Sequence, residues 1–363
     1  MSKENTTTAD IATMNRNFNF GTALKERLKF DPELLRGWER EHITADEAGN
    51  AILSFPKDGT LHVAVHDGPF HADEILSVAL LKLAAKADAN CDIEVMRTRS
   101  VPLLAESDLV VDVGEGLLDH HGSRAVPGIA ACSRVLALLY NTLVRDITRE
   151  EEEWRVLGEL VDRVAAVDTA TALPATSPWP WIHEYSRFSE IPELRPEISL
   201  ETIREKLMIE EETVFDHVVN MVFRDLSVKM LNLAVAKEAR QAAEREMKNL
   251  LSDGRVASFS LASRGAEVKK MLWAAKSPAV YFVSPVKEED WRVLCCANPE
   301  ATEEEVAFSS QRLIPDRFRS LRGEELAKAT GLSDAIFCHA AGFIAGFKTR
   351  EAAEKFAVLC LED

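Results

Sequence analysis

Residues 61–87 of this 363-residue chain read LHVAVHDGPFHADEILSVALLKLAAKA. Residues 61–65 are mostly apolar, which is typical of a short strand, and residues 73–87 place their apolar side chains at helical spacing. Gly68 and Pro69 interrupt the chain between these two patterns. The stretch therefore predicts a strand, a loop and a helix, the unit from which parallel α/β sheets are built.

The same alternation continues along the first half of the chain. Further strands are predicted at 93–96 and 109–113, and further helices at 130–145 and 151–167. Ligands of parallel sheets gather beyond the carboxyl ends of the strands. We therefore expect a site in the loops that follow these strands.

The second half of the chain predicts a separate lobe, reached through a long helix. Prolines at 174, 178, 180, 192 and 196 interrupt regular structure and mark a junction. A helical pattern covers 212–250, with Asp253 and Gly254 as its predicted C-terminal cap. Later strands are predicted at 256–261, 279–283 and 291–295, and later helices at 324–330 and 350–359.

The composition limits the classes of partner. A formal charge of −17 argues against broad electrostatic capture of nucleic acid, because binding to phosphates relies on Lys and Arg. We therefore expect no long duplex as a partner. Short oligonucleotides and small phosphorylated molecules stay compatible with an acidic protein that holds divalent cations.

The cysteines and the apolar runs predict a cytoplasmic protein. Six cysteines occur without C-x-x-C spacing, and we interpret them as reduced core thiols. Residues 1–20 lack a long apolar segment, and no run approaches the roughly eighteen apolar residues of a membrane span. Neither secretion nor membrane insertion is therefore predicted, and the sequence leaves the oligomeric state open.

Candidate metal ligands cluster near the predicted strand ends. Five of the nine histidines lie between residues 62 and 121, a clustering that dispersed surface histidines would not show. His66 ends the first strand, and His71 and Asp73 follow in the loop and at the start of the helix. We interpret Glu74, by contrast, as an acidic residue that favours the positive N-terminus of that helix.

Two later segments add ligands of the same kinds. Asp112 ends an apolar run and is followed closely by glycine, so the strand delivers it into a loop. Asp119 precedes two histidines and can orient an imidazole by accepting its free N–H. Asp168, preferred to Asp162, supplies a further carboxylate. The pattern indicates a hydrolase with bound metal.

Together these motifs resemble the melanocyte-proliferating-gene family, also described as metal-dependent protein hydrolases, in the DHH-type phosphoesterase superfamily. The resemblance runs from residue 61 to residue 363. It rests on HDGPFHADE at 66–74, RTR at 97–99, VVDVG at 110–114, DHH at 119–121, VDTA at 167–170, DWRV at 290–293, SQRLIP at 310–315 and FCHAAGFIAGFKTREAA at 337–353.

The resemblance implies hydrolysis of a phosphodiester bond, in RNA or short oligonucleotides, by two Mn²⁺ or Mg²⁺ ions. Oxygen and imidazole ligands without thiolate favour these ions. Two ions about 4 Å apart would activate a water and stabilise the leaving oxygen. By this comparison His66 and His71 bind one metal ion, and Asp73, His120 and Asp168 bind the other. Asp112 bridges the two ions and His121 faces the substrate. The expected catalytic residues are Asp112, Asp119 and His121.

The expected fold class is α/β, with a DHH-type parallel-sheet catalytic lobe joined by a long helix to a second α/β or α+β lobe. We expect an N-terminal extension over 1–58, in which residues 1–20 form a polar start and residues 21–58 pack as an appendage. A metal-binding catalytic domain follows over 59–205. A helical connector and a C-terminal substrate-binding domain cover 206–363.

Candidate substrate-binding residues lie on one strand and in the tail. Arg97 and Arg99 share a strand face. His339 and Gly342 lie in a run rich in Ala and Gly that allows close approach of the backbone to phosphate, and Lys348 and Arg350 would add positive charge. Tight packing of the run and ordinary surface charge are the alternative interpretations.

A second hypothesis is a metal-stabilised binding or regulatory protein with little or no turnover. Relatives commonly have Gln after DHH and Asn-Gly after the Asp168 motif, whereas this chain has Gly122 and Thr169-Ala170. Such differences would alter substrate placement without removing a metal ligand. A zinc deaminase is excluded, because the H-x-E spacing and a P-C-x-x-C motif are absent.

Overall fold

The structure is a computed structural model that describes residues 27–122, 125–143, 151–209, 213–246, 250–260 and 265–362. It divides into two compact units, the first ending at Met230 and the second beginning at Leu231. Helices and strands are mixed in both units, which confirms the predicted α/β class. The expected limits of the functional domains, at 58 and 205, stay predictions.

The first unit is built around a parallel sheet. The strands of this unit are β1 (Ile43–Ala45), β2 (Ala51–Leu53), β3 (Thr60–Val65), β4 (Asp92–Arg97) and β5 (Leu109–Val110), of which β3, β4 and β5 form the parallel sheet. Its helices are α1 (Glu39–His42), α2 (Ala72–Asp88), α3 (Val101–Ala105), α4 (Ala131–Leu143), α5 (Glu151–Asp168), α6 (Ile182–Leu194), α7 (Leu200–Leu207) and α8 (Val214–Glu246), which runs on into the second unit. In the sheet, β3 lies between β4 and β5 and pairs with both in parallel.

The central strand β3 is apolar because it is packed on both faces. Side chains of a strand alternate between the two faces of the sheet. Val63 and Val65 belong to the larger core of the unit, to which α2 and α4 also contribute. Ala64 faces a smaller core that contains Leu104 and Val110. This burial explains the apolar pattern at 61–65.

The described part of the N-terminal extension is integral to the first unit. Strands β1 and β2 pair in antiparallel register, with Ile43 opposite Leu53. Leu35, Ile43, Ala51, Leu53 and Phe55 are buried in the same core as the helices. The expectation that residues 21–58 pack as an appendage is therefore wrong for residues 27–58, and residues 21–26 lie outside the described ranges. Two strands of three residues each are too short to produce a recognisable periodicity.

The second unit contains a six-stranded mixed sheet. Its remaining elements are β6 (Leu250–Leu251), β7 (Val256–Ser258), α9 (Gly265–Ala274), β8 (Tyr281–Lys287), β9 (Asp290–Cys295), α10 (Gly323–Thr330), β10 (Ala335–Cys338), β11 (Ile344–Phe347) and α11 (Arg350–Leu359). The strand order is β10-β11-β9-β8-β7-β6, and only β7 and β8 run parallel. Tyr281 and Phe282 point into different cores on the two faces.

One predicted helix end is wrong. Helix α8 ends at Glu246 and not near residue 250, and Leu250–Leu251 forms strand β6. Asp253 and Gly254, predicted as a helix cap, lie in the turn between β6 and β7, where both have positive φ. A left-handed Gly serves equally in a hairpin turn and at a helix end, so the residue type did not separate the two. Residues 212 and 247–249 of the predicted helix lie outside the described ranges.

The cysteines and the apolar character of the helices bear on the predicted class of protein. All six cysteines are buried and none forms a disulfide, as expected of core thiols. Among the helices of the described residues, none combines the length and the apolar character that crossing a membrane requires.

Candidate metal centre

The predicted ligands meet at the carboxyl ends of the parallel strands. Strand β3 ends at Val65, so His66 is the first residue beyond it. His71 occupies the N-cap position of α2, whose first turn carries Asp73 and Glu74. The chain beyond β5 reaches the same place two residues later with Asp112. This convergence follows from parallel pairing, since all three strands end on one side.

Asp112 leaves the sheet through an unusual backbone conformation. The strand predicted over 109–113 ends at Val110, and Val111 forms only a single bridge to Leu118. Asp112 has φ of +59°, which places it in the left-handed region, where Asp is tolerated better than most residues. The turn directs a side chain that is almost fully buried into the cluster.

The carboxylate of Asp112 lies among three imidazoles. Its Oδ1 is 3.1 Å from Nδ1 of His120 and 3.5 Å from Nδ1 of His121, and its Oδ2 is 3.4 Å from Nε2 of His66. Burial raises the pKa of Asp112, but the adjacent imidazoles of His120 and His66 outweigh that effect and lower the pKa to about 2. Asp112 therefore carries a negative charge at the centre of the cluster.

Asp168 joins the cluster from the last residue of α5. Its Oδ2 is 3.0 Å from Nε2 of His120, and its Oδ1 is 3.7 Å from Nδ1 of His71. His120 is thus placed between Asp112 and Asp168. Burial lowers the pKa of His120, but its two carboxylate partners raise it to about 9.

Two further carboxylates in the cluster are fully buried. Neither oxygen of Asp73 has a hydrogen-bond partner, and burial, followed by the charges of Asp112 and Asp168, raises its pKa well above the usual value. Glu74 lies against Nε2 of His66, and burial raises its pKa to about 7. Buried carboxylates that repel each other are costly unless a cation compensates them.

The hydrogen bonds of His66 leave one ring nitrogen facing the carboxylates. Its Nδ1 is 2.9 Å from the carbonyl oxygen of Asp67, which can only accept, so Nδ1 is the donor. Nε2 is then directed at Glu74 and Asp112, as a metal-binding imidazole requires. Burial lowers the pKa of His66, but Asp112 and Glu74 raise it to about 10, so without a metal the imidazolium offsets part of the negative charge of the cluster.

Asp119 holds His121 in place. Its Oδ1 accepts the backbone N–H of His121 at 2.9 Å and lies 2.8 Å from Nδ1 of the same residue. Its Oδ2 accepts the backbone N–H of Glu115 at 2.7 Å. The ring of His121 stacks on that of His120 with centroids 4.1 Å apart, and more than half of the His121 side chain is exposed. This is the orienting contact that the sequence predicted for Asp119.

The donor atoms are close enough to share cations. Four sets have all their donor atoms within 4.8 Å of one another: Asp112, Asp119, His120 and His121; His66, His71 and Glu74; His71, Asp73 and Asp168; and Asp73, Glu74 and Asp112. All six predicted metal ligands occur in these sets. Their oxygen and imidazole donors fit Mn²⁺ or Mg²⁺, and the unpartnered oxygens of Asp73 are consistent with such an ion.

Sequence reasoning missed Glu74. An acidic residue in the first turn of a helix is common for electrostatic reasons alone, so its position did not distinguish it. Only its complete burial and its contact with His66 identify it as a candidate ligand.

Two cavities of the first unit open beside the cluster. The larger, of about 500 Å³, is lined by His66, His71, Arg99, Asp112 and His121, among others. The smaller, of about 280 Å³, is lined by Phe70, His71, Val164, Val167, Asp168, Pro174, Ser177, Trp179, Pro180, Ile182 and His183, together with Ala72. We call the smaller cavity the apolar pocket. His71 lines both cavities.

The two predicted arginines hold the loop before α2. The guanidinium group of Arg97 donates to the carbonyl of Gly68 and lies over the rings of Phe70 and Phe215. Arg99 pairs with Asp67 and lines the larger cavity. Contact with substrate stays a prediction for both, and Arg99 is the one that lines a cavity beside the cluster.

The predicted tail residues belong to the second unit. The ring of His339 lies 4.6 Å from that of Phe343, and the Nε atom of Arg350 is 2.7 Å from Glu354. Gly342 has φ of +70°, and a Cβ atom there would overlap the side chain of Arg319. Lys348 follows β11 directly. Gly342 thus satisfies a packing requirement of its own unit, and the role of all four in substrate binding stays a prediction.

The chain was compared with known families and proteins. The model of the Uncharacterised protein family (UPF0160) matches residues 62–124 and 180–361. MYG1 exonuclease of Mus musculus is 27% identical, with 85% of each chain covered. MYG1 exonuclease of Homo sapiens is 26% identical over 84% of this chain and 86% of that protein.

Similarity to solved structures is weak. RecJ from Thermus thermophilus in complex with Mn²⁺ matches 83% of this chain and 52% of that chain, with 14% identity and a TM-score of 0.26. A likeness at this level transfers neither architecture nor chemistry.

Proposed function

This chain belongs to the Uncharacterised protein family (UPF0160), whose model matches more than half of its residues, and we propose that it is a metal-dependent phosphodiesterase acting on short oligonucleotides. The observation that carries the proposal is the cluster of buried carboxylates and imidazoles at the strand ends. Relatives named MYG1 exonuclease support a nuclease.

The buried charges argue for cations in the working protein. Asp73, Glu74, Asp112 and Asp168 lie close together, and Asp73 has no exposed surface. In the metal-free protein the imidazoles of His66 and His120 are the positive partners of these carboxylates. A divalent ion would displace their protons, so metal binding would release protons and become stronger as the pH rises.

The residues divide into holding and reacting groups. Asp112, between His66 and His120, would bridge two ions, with Asp73, Glu74, Asp168 and His71 completing their ligands. When bound, the ions would activate a water and stabilise the leaving oxygen of an in-line displacement. Asp119 engages Nδ1 of His121, which leaves Nε2 of that exposed ring free to contact a phosphate oxygen.

The apolar pocket supports a nucleotide as the substrate. It reaches the cluster at His71 and Asp168, and its other walls include Phe70, Ile182 and Pro180. A volume of about 280 Å³ lies at the lower end of the range for small-molecule sites, so it suits one ring system. We propose that it takes the base next to the scissile phosphate. The net charge of −17 favours short substrates, which the bound metal ions would hold. A cytoplasmic location is part of the same proposal.

The test is hydrolysis by metal-stripped protein to which Mn²⁺, Mg²⁺ or Zn²⁺ is restored. Substrates are short RNA, short DNA, dinucleotides and a chromogenic phosphodiester. We expect Mn²⁺-dependent cleavage that falls at least about 10³-fold in Asp112→Ala, because a bridging carboxylate is lost. Asp88→Ala removes an exposed carboxylate at the end of α2 and serves as the matched control.

The outcomes separate the two hypotheses for this chain. Full activity of Asp112→Ala would overturn the assignment of the site. Tight Mn²⁺ binding without cleavage of any substrate would instead support the metal-stabilised binding or regulatory protein. The residues Gly122 and Thr169-Ala170, which replace groups common in relatives, motivate that second hypothesis.

A further inference from the structure

The open edge of the parallel sheet is closed by a side chain. Strand β5 is the last strand on its side, and an edge strand exposes backbone groups without partners. Here the N–H of Val110 donates to Oε1 of Glu39 at 2.9 Å. Glu39 is fully buried, and its Oε2 accepts the N–H of Arg36 at 2.6 Å. One carboxylate therefore ties residue 36 to the strand that leads to Asp112.

Arg36 holds the chain on the other side of Asp112. Its Nε donates to the carbonyl of Gly114 at 3.0 Å, and its Nη2 donates to the carbonyl of Glu115 at 3.0 Å. Gly37 has positive φ, and a Cβ atom there would overlap the carbonyl of Ala105. The segment therefore packs closely against the end of α3 and against the loop that follows Asp112.

The loop needs this support because its backbone is strained. Asp112 and Glu115 both have positive φ, at +59° and +54°, and neither is glycine. Such conformations are strained for residues other than glycine and persist only where the surroundings fix them. Glu39 holds residue 110 and Arg36 holds residues 114 and 115, so the two contacts bracket Asp112.

We propose that Arg36 and Glu39 are positioning residues of the metal centre, which act through the backbone of residues 110–115 to hold the carboxylate of Asp112 for metal binding. The inference rests on the proposed function. It assigns a role to a segment that precedes the family match, which begins at residue 62. Groups that orient metal ligands from outside the site typically change metal affinity by about 10–100-fold when they are removed.

The experiment measures Mn²⁺ binding by isothermal titration calorimetry to metal-stripped full-length protein. Arg36→Ala should raise the dissociation constant for Mn²⁺ about 10-fold. It should also lower kcat for a dinucleotide about 10-fold and change KM less than about twofold, since the apolar pocket is untouched. Arg40→Ala, an exposed arginine of α1, is the matched control and should leave all three values unchanged.

A second variant separates positioning from loss of folding. Circular dichroism must first show that the metal-free variant is folded at the temperature of the titration. Arg36→Lys keeps the charge and the apolar stem but cannot reach both carbonyls with a planar fork, so it should give an intermediate affinity. It replaces Arg36→Ala if that variant does not fold.

The results separate the positioning role of Arg36 from the proposed phosphodiesterase function. Wild-type affinity and kcat in a folded Arg36→Ala variant would overturn the positioning role and leave the proposed function standing. A wild-type protein that neither binds Mn²⁺ nor cleaves a phosphodiester would overturn the proposed function and the inference together.

Discussion

The carboxylate of Asp73 is expected to favour metal binding but to lower the stability of the metal-free protein. It has no exposed surface, neither of its carboxylate oxygens has a hydrogen-bond partner, and burial together with Asp112 and Asp168 raises its pKa. In metal-free protein Asp73 is therefore destabilising, because a carboxyl pKa that is raised by folding means that stability falls as the pH rises from the unfolded-state pKa towards the folded-state pKa. A neutral side chain of the same shape would remove that cost.

We expect Asp73→Asn to raise the unfolding temperature of metal-free protein at pH 8 by at least about 2 °C, since about 1 kcal/mol corresponds to a shift of this size in a chain of several hundred residues. The same variant should lose the stabilisation that Mn²⁺ gives the wild type. Melting curves in EDTA and in Mn²⁺ measure both effects, with Asp88→Asn as the control. A lower metal-free unfolding temperature combined with an intact response to Mn²⁺ would contradict this prediction.

The residues of the cluster could largely be predicted from the sequence, because their types are unusual at the ends of apolar strands. His66, Asp112 and His120 are examples, and the structure brings them within hydrogen-bonding or near-contact distance. Glu74 could not be recognised, since an acidic residue at a helix start is common on an exposed surface. Its importance depends on burial, which arises only when α2 packs on the sheet.

At the scale of elements, the sequence predicted those whose periodicity extends over many residues. Helix α2 lies within two residues of its predicted bounds and α4 begins within two residues of its predicted start, because their buried faces recur over several turns. Residues 144 and 145 of the predicted α4 lie outside the described ranges. The hairpin of β1 and β2 was missed, since three-residue strands carry no period. Strand β5 is shorter than predicted because the chain turns at Asp112. The apolar side chains at 111 and 113 are buried, although Val111 forms only an isolated bridge.

The apolar pocket gives a prediction at the same scale, because its walls come from α5, the turn at Pro174–Thr176 and the start of α6. If a base occupies it, kcat/KM for a dinucleotide should exceed that for an analogue without the base about 10-fold, since contact with one base contributes about 1–3 kcal/mol. His183→Trp should fill the rim and remove the difference. Leu194→Trp, exposed at the other end of α6, is the control.

Both substrates are compared in the same Mn²⁺ buffer. Equal kcat/KM values for the dinucleotide and its base-free analogue in the wild type would show that the pocket does not hold the base. Cleavage of both would leave the phosphodiesterase proposal in place.

For the whole molecule, the excess of acidic residues predicts that KM for an oligonucleotide substrate depends only weakly on the salt concentration. A protein that neutralises six or more phosphates loses about 10³-fold in affinity between 50 and 200 mM salt. With a net charge of −17 and few arginines beside the cluster, we expect KM for a short oligonucleotide to rise less than about 10-fold over this range at constant Mn²⁺. Steady-state kinetics at several NaCl concentrations measure the slope.

Competition provides the accompanying control. Long duplex DNA added to the same reaction should inhibit weakly, because a net charge of −17 disfavours the binding of a long polyanion. A steep salt dependence together with strong inhibition by duplex would mean that a basic groove, and not the metal centre, captures the substrate.

The buried cysteines make unfolding visible to a chemical reagent. Cys91 and Cys132 lie in the first unit and the other four in the second, and none has more than a few percent of its surface exposed. A maleimide dye can therefore label only molecules that have opened, and peptide mapping of the adducts would report separately on the opening of each unit. Labelling of the native cysteines would thus measure local unfolding of each unit without any introduced probe.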